Sequence, residues 1–417
     1  MSKTPGDRTA SRTAYAGWAF RAARLLFLAL VVIMPLEAVT AAREMALVGA
    51  ALFMALHLWL DPHRRLRPTA LALPLALYVA AALLSLVWAV DFSYSLRELR
   101  GEVLKGILVY YTAAHLVSHR DHLAQVYGVL LAGVAIMVLA GVGLFYYYGG
   151  SIFSMRVRAG SLHNGYGGLG TYLVTVWPYV LLAPRAFPQR RLRPWLWGLI
   201  VLTAFMAYLT YNRAAWLGMV VGMGMCLLML SRHRLRSALL GALLVLALAG
   251  GMFLLPGATH GERWSRLWHD PQAVGGTAGD LAALWSYSLE RIAERPFRGI
   301  GLGRHSFSKA FPDFRRTHQP LLWHAHNMFV DLALQLGLQG LAAMVLVMAV
   351  LVAKLWPRAP PDPGRMPQLF CGATAVMVVG FAVRNLTDDF FADDSALLFW
   401  LLAGLGMGVQ WWHSRAK

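Results

Sequence analysis

Trp323-His324-Ala325-His326-Asn327 closes a long polar stretch that opens after Pro256, and an apolar run follows it at once as far as Ala353. A helix starting at Asn327 would carry His326, Val330, Ala333, Gly337, Gly340 and Met344 on one stripe, at i, i+4, i+7, i+11, i+14 and i+18. Small residues let helices approach one another closely inside a membrane. The expected consequence is a histidine fixed at the point where the chain re-enters a bilayer.

The rest of the chain has the composition of a membrane protein: 58% of residues are hydrophobic and only 14% are charged. Apolar runs close to membrane length lie at 22–40, 44–60, 69–90, 103–118, 123–148, 169–187, 195–211, 214–231, 237–256, 326–353, 368–385 and 396–412. The predicted fold is therefore an all-α integral membrane protein of about twelve transmembrane helices. Nine lie in residues 1–256 and three in 326–417, with a large loop of short helices, 257–325, between them. Arg8, Arg12, Arg21 and Arg24 precede the first run as in a signal peptide, but an uncleaved first helix leaves the basic loops on one side. Cys226 and Cys371 fall inside apolar runs, which offers neither a disulfide framework nor a thiolate metal site.

Counting the tail and alternate loops gives 21 Lys and Arg on one side and 8 on the other, the long loop apart. That bias predicts both termini in the cytoplasm and the 257–325 loop outside. Much of the formal charge of +18 is thus an orientation signal beside anionic lipid rather than a nucleic-acid surface. The bias does not account for nine Lys and Arg in the long loop, or for those at outer helix ends. Guanidinium groups there suit an anionic ligand, because they pair bidentately with phosphate and stay charged.

Arg156 and Arg158 stand before a glycine-rich turn, and Arg213 sits in the short Thr210-Tyr-Asn-Arg-Ala214 turn between two apolar runs. Arg213 suits phosphate or simple snorkelling to headgroups. In the loop, Leu281, Leu284, Trp285, Ser288 and Ile292 recur near helical spacing, with Pro296 closing a helix over Leu281–Glu294. On it Arg291 either faces phosphate or pairs with Glu290 and Glu294. Gly299-Ile-Gly-Leu-Gly303 lacks the strand and helix of a nucleotide-binding unit and reads as a tight loop. No carboxylate or cysteine stands beside His324-Ala-His326 in a familiar ligand spacing, so no metal is expected. A histidine held beneath a basic cleft suits a general base, and His326 is the expected one. Asp388, Asp389, Asp393 and Asp394 read as a solvated loop or a weak cation site.

The run His326-Asn327, nine residues, then Gly337-Leu-Gln-Gly340, preceded by a long loop with Trp285, Pro296 and Gly299-Ile-Gly-Leu-Gly303, resembles the O-antigen ligase and O-antigen polymerase superfamily. Arg213-Ala-Ala-Trp-Leu-Gly and Arg158-Ala-Gly with Asn164 resemble its other signature places. The resemblance implies a glycosyltransferase of the bacterial inner membrane, working on the periplasmic face without metal or cofactor. It would move O-antigen glycan from undecaprenyl diphosphate to lipid A–core oligosaccharide. Family loops often carry an arginine a few residues before Trp285, where this chain has Asp280, which leaves that role to Arg266 or Arg291. The implied site is then His326 as base and Arg213, Arg158 and a loop arginine on the diphosphate. Asn327, Arg156, His324 and Asp389 support it. In-line attack would invert the anomeric centre. A polymerase or a protein O-oligosaccharyltransferase would use nearly the same residues. A polyprenyl-linked glycan transporter would instead show charges or broken helices near the bilayer midplane.

Overall fold

A computed structural model describes residues 5–61, 66–152, 157–160, 165–233, 277–317 and 322–415, with single helical positions at 236, 239, 241 and 243. Its regular structure is helical, without a β-strand among the described residues. In chain order the helices are α1 (Pro5–Ile33), α2 (Thr40–Leu60), α3 (Ala72–Ser85), α4 (Phe92–Glu98), α5 (Lys105–Leu116), α6 (Arg120–Tyr147), α7 (Gly165–Ala186), α8 (Arg193–Leu209) and α9 (Arg213–Leu230). Then follow α10 (Thr277–Glu294), α11 (His305–Ala310), α12 (Pro312–Thr317), α13 (Met328–Leu336), α14 (Leu338–Leu355), α15 (Met366–Arg384) and α16 (Asp393–Arg415). A π-helical turn, Leu99–Leu104, joins α4 to α5.

Seven of these are long and apolar enough to cross a membrane: Arg12–Ile33 within α1, and α2, α6, α9, α14, α15 and α16. The stretch Ala72–Trp88 and α8 are shorter apolar helices. The run expected at 237–256 lies almost wholly outside the described residues. α16 and α15 form the centre of the bundle, with 83% and 72% of their apolar windows buried, whereas α1 and α2 bury only 33% and present the remainder to lipid.

One end of the bundle carries the long loop. There Arg43 at the start of α2 pairs with Asp394 at the start of α16, Lys105 pairs with Glu44, and the Val90 amide donates to Ile300 O at 3.0 Å. At the other end the Arg67 guanidinium donates to the Ala114 and Val117 carbonyls that close α5, at 2.7 and 2.8 Å.

The apolar run 326–353 is not one helix. It breaks at Gly337, whose φ of 76° is left-handed, so the predicted stripe from His326 to Met344 does not form. The break is built from both sides. Gln339 Nε2 donates to Leu336 O at 2.7 Å and Phe297 O at 3.0 Å, while the Leu338 amide donates to Pro296 O at 2.8 Å. The 299–303 glycine run is the strap that lies against this joint: the Ile300 and Gly301 amides donate to the Leu334 and Gln335 carbonyls at 2.9 and 3.2 Å. A side chain at Gly299 would strike Gln335 O at 2.0 Å, which explains the glycine by close approach rather than by a nucleotide.

The predicted loop helix is present as α10. Its Leu284, with Phe307, Phe314, Leu322, Ala325 and Leu334, forms a small second core against α13. Trp285 Nε1 donates to Ala325 O at 2.9 Å, tying α10 directly to the histidine segment.

Candidate active site

Asn327 opens the site as a helix cap. Its Oδ1 accepts from the Phe329 and Val330 amides at 2.9 and 3.3 Å, and its Nδ2 donates to Leu386 O at 2.8 Å. Asn327, not His326, therefore supplies the cap, and it joins the start of α13 to the 385–392 loop. The Met328 amide, directed to Asn385 O at 3.0 Å and Asp388 O at 3.2 Å, makes the same junction.

His326 stands just before this cap with φ at 47°, a left-handed conformation for a residue with a side chain. Such a backbone costs of order 1–3 kcal/mol and persists only where its surroundings hold it. Its Nδ1 meets Asp388 Oδ1 at 3.1 Å. Asp388 is braced in turn by the Asp389 amide, which donates to Oδ1 at 3.0 Å, and by Arg384, whose Nη2 lies 3.8 Å from Oδ2. Burial pushes the Asp388 carboxyl up, but the bond with His326 and the charge of Arg384 outweigh it and hold it below the usual carboxylate range.

His324 is built differently. Its Nδ1 lies 3.0 Å from Asp331 Oδ2 and 3.1 Å from the His326 amide nitrogen, and that one nitrogen can serve only one of the two at a time. Asp331 Oδ1 also accepts from the Ala325 amide at 3.0 Å, so the carboxylate fixes both the ring and the backbone. The His324 side chain is 3% exposed and the His326 side chain 23%. A substrate can reach the second ring and not the first.

Asp389 is 5% exposed, and its carboxylate lies within 4.8 Å of ligand atoms of His324 and Asp331. Burial, with the charge of Asp331, pushes its carboxyl up to about 6. Arg304 donates to Asp389 O at 3.2 Å, pairs with Asp393 at 3.1 Å and lies over the Trp323 ring at 5.5 Å. Behind it is a cavity of about 180 Å³ bordered by Glu98, Glu102, Asp389, Asp393 and Arg304, with Tyr94 and Trp400 as aromatic walls. The acidic loop read as solvated is thus partly buried: Asp394 pairs with Arg43, and the Asp393 amide donates to the Glu102 carboxylate at 3.0 Å.

The arginines expected on phosphate fall in two groups. Arg213 begins α9 directly after the cap residue Asn212, whose Oδ1 accepts from the Ala215 amide at 3.2 Å, and it is exposed. Arg158 is exposed as well, with its guanidinium over the Tyr166 ring at 4.6 Å. The Ala159 amide donates to Leu209 O at 2.9 Å, and Tyr211 Oη to Ser151 O at 3.1 Å, so the Arg158 loop lies on the turn that carries Arg213. Arg291 pairs with Glu294 at 2.8 Å and lies over Tyr287 at 5.1 Å, the helix-surface alternative read from its spacing. Arg156 and Arg266 lie outside the described residues.

Sequence spacing missed four groups. Asp331, Asp388 and the bracing Arg384 and Arg304 carry no local motif, and Asp388 lies 62 residues from the histidine it meets. Arg384, read as an outer-end charge, is 1% exposed and also approaches Gly167 O at the start of α7 at 3.4 Å. The expectation that no carboxylate accompanies the histidines is corrected in space. His324, His326 and Asp388, or His324, Asp331 and Asp389, offer ligand atoms all within 4.8 Å of one another.

No curated protein matches this chain. Residues 198–345, which hold Arg213, α10, the histidine pair and Gly337, match the family model described as O-Antigen ligase.

Proposed function

We propose that the protein joins O-antigen glycan from undecaprenyl diphosphate to lipid A–core oligosaccharide, with His326 as the base. The observation that carries this is the reachable ring of His326 on the braced carboxylate of Asp388, 3.1 Å away. A proton on Nδ1, donated to Asp388, leaves Nε2 as the basic nitrogen. Nε2 takes the proton of the acceptor hydroxyl as its oxygen attacks the anomeric carbon. The bond from that carbon to the diphosphate breaks, its electron pair leaves with undecaprenyl diphosphate, and the centre inverts. Asp388 stabilises the imidazolium that forms.

Arg213 and Arg158, with Arg266 from the loop, take the diphosphate and stabilise the charge it gains, each worth ~2–4 kcal/mol of barrier. The Arg291–Glu294 pair weighs against Arg291 in that role. The 180 Å³ cavity suits a hydroxyl-rich acceptor, since carboxylates accept from sugar hydroxyls and the Tyr94 and Trp400 rings give apolar walls. In this reading the reaction runs without metal, with Asp388 rather than an ion orienting the His326 ring. In this reading the chain crosses the inner membrane twelve times, with both termini cytoplasmic and the 257–325 loop in the periplasm, as the 21 to 8 charge bias indicates.

The test is the lipopolysaccharide of a deletion strain. Loss of all long-chain bands while the lipid-linked polymer is still made supports the ligase. A single capped repeat would indicate a polymerase, and unchanged transfer with altered lipid flux a transporter.

A further inference from the structure

We propose that the end of the bundle opposite the histidines holds a site for the phosphate group of an anionic lipid headgroup. It is a cavity of about 120 Å³ between the segment that leads into α3 and the ends of α5, α14 and α16. Arg67, Lys354, Tyr110, Tyr111, Gln410 and Trp411 line it, and among the described residues no carboxylate does. Basic pockets between transmembrane helices at headgroup depth are the common form of anionic-lipid sites.

Two further observations point to an anion. The Arg67 and Arg415 guanidinium carbons lie 4.6 and 4.3 Å from the centre of the same Trp411 ring. Each cation is attracted by the indole, and with Lys354 on the cavity wall they give this end of the bundle a positive field that a negative group in the cavity would neutralise. The indole Nε1 of Trp411 is buried and has no hydrogen-bond partner among the described residues. A buried donor without an acceptor is costly, and a phosphate oxygen in the cavity would accept from it.

The cavity is also built to keep its shape. Arg67 is 7% exposed and fixed by the two carbonyls at the end of α5, its backbone amide donates to His115 Nε2 at 2.9 Å, and Thr69 bonds Tyr110 through their hydroxyls. The aromatic and basic residues at these helix ends are those found at headgroup level. The proposal is independent of the reaction at the other end.

The test is lipid retention measured by native mass spectrometry on the delipidated full-length protein, re-exposed to phosphatidylglycerol or phosphatidylcholine. The wild type should retain phosphatidylglycerol preferentially. Lys354→Gln should weaken that retention about fivefold, the effect of one surface cation, and Trp411→Phe about tenfold through the lost donor. Arg190→Gln, a basic residue between α7 and α8 that lies outside the cavity, should change nothing. A single cooperative thermal transition for each variant in lipid-free detergent confirms that it is folded. Equal retention of both lipids, or variants that hold phosphatidylglycerol like the wild type, overturns the site. Stabilisation by inorganic phosphate that both cavity variants abolish, without phosphatidylglycerol retention, overturns the lipid and leaves a site for free phosphate.

Discussion

The two halves of the proposed site are built in opposite ways. Around His326 the backbone is held left-handed, the carboxylate partner is braced by a buried arginine, and the helix cap ties two chain segments together. Around Arg213 and Arg158 the turns are fixed by backbone bonds but the guanidinium groups are exposed. The difference matches the demands of the two roles. A base must stand in one orientation before the acceptor arrives, whereas long cationic side chains at a membrane surface can close on a diphosphate as it enters. Substitutions in the first half should therefore damage turnover with binding intact, and those in the second should damage both.

The largest effect expected in the cationic half is that of Arg213→Ala, a loss of ~10²–10³-fold in transfer with weakened donor binding. Arg213→Lys should recover only part of it, because a point charge does not reproduce the bidentate fork. Donor titration beside single-turnover transfer checks both. Asp388→Asn comes next, at roughly 10–10³-fold in turnover with donor binding unchanged. An amide that donates to Nδ1 forces the proton onto Nε2, the wrong tautomer for a base. Loss of binding in Asp388→Asn would erase the contrast between the halves.

A smaller effect concerns stability and pH. Asp389 is raised in the folded protein to about 6. The stability it contributes is full below its unfolded value and is lost as pH rises through 6. Asp388, shifted the other way, loses its contribution only as pH falls below the usual carboxylate range, so it is silent across the same window. Asp389→Asn should thus raise the Tm relative to wild type by more at pH 7.5 than at pH 5, by roughly 2 °C or more. A difference that shrinks with rising pH would contradict the burial of that carboxyl. Smallest of all, Arg291→Ala should leave transfer within about twofold, since its exposed pair with Glu294 is worth ~0–1 kcal/mol. A loss as large as that of Arg213→Ala would move Arg291 into the cationic half.

The helical membrane class was legible because hydropathy and span length carry it directly. Asn327 was legible too, since an amide before an apolar run is a helix start. The break at Gly337 was not, because its cause lies in the strap at 299–303 and in Gln339, which helical periodicity cannot reveal. His326 was singled out through its position at the mouth of the run, but its contact with Asp388, and that of Asp388 with Arg384, was not foreseen. Their partnership with the histidine joins segments 62 residues apart, and read locally they look like a solvated acid and a charge at an outer helix end. The same blindness hid the carboxylates beside the histidine pair, so metal dependence needs a direct test. Transfer in excess chelator should proceed at an undiminished rate, and activity abolished by chelator and restored by zinc or magnesium would replace the general-base mechanism.

The central claim is that His326 removes the acceptor proton, and single-turnover transfer by His326→Ala, measured beside donor affinity, tests it most directly. The account predicts a loss of ~10²–10⁴-fold with the lipid-linked donor still bound and the fold intact by thermal unfolding. Transfer at the wild-type rate would contradict it and place the base elsewhere.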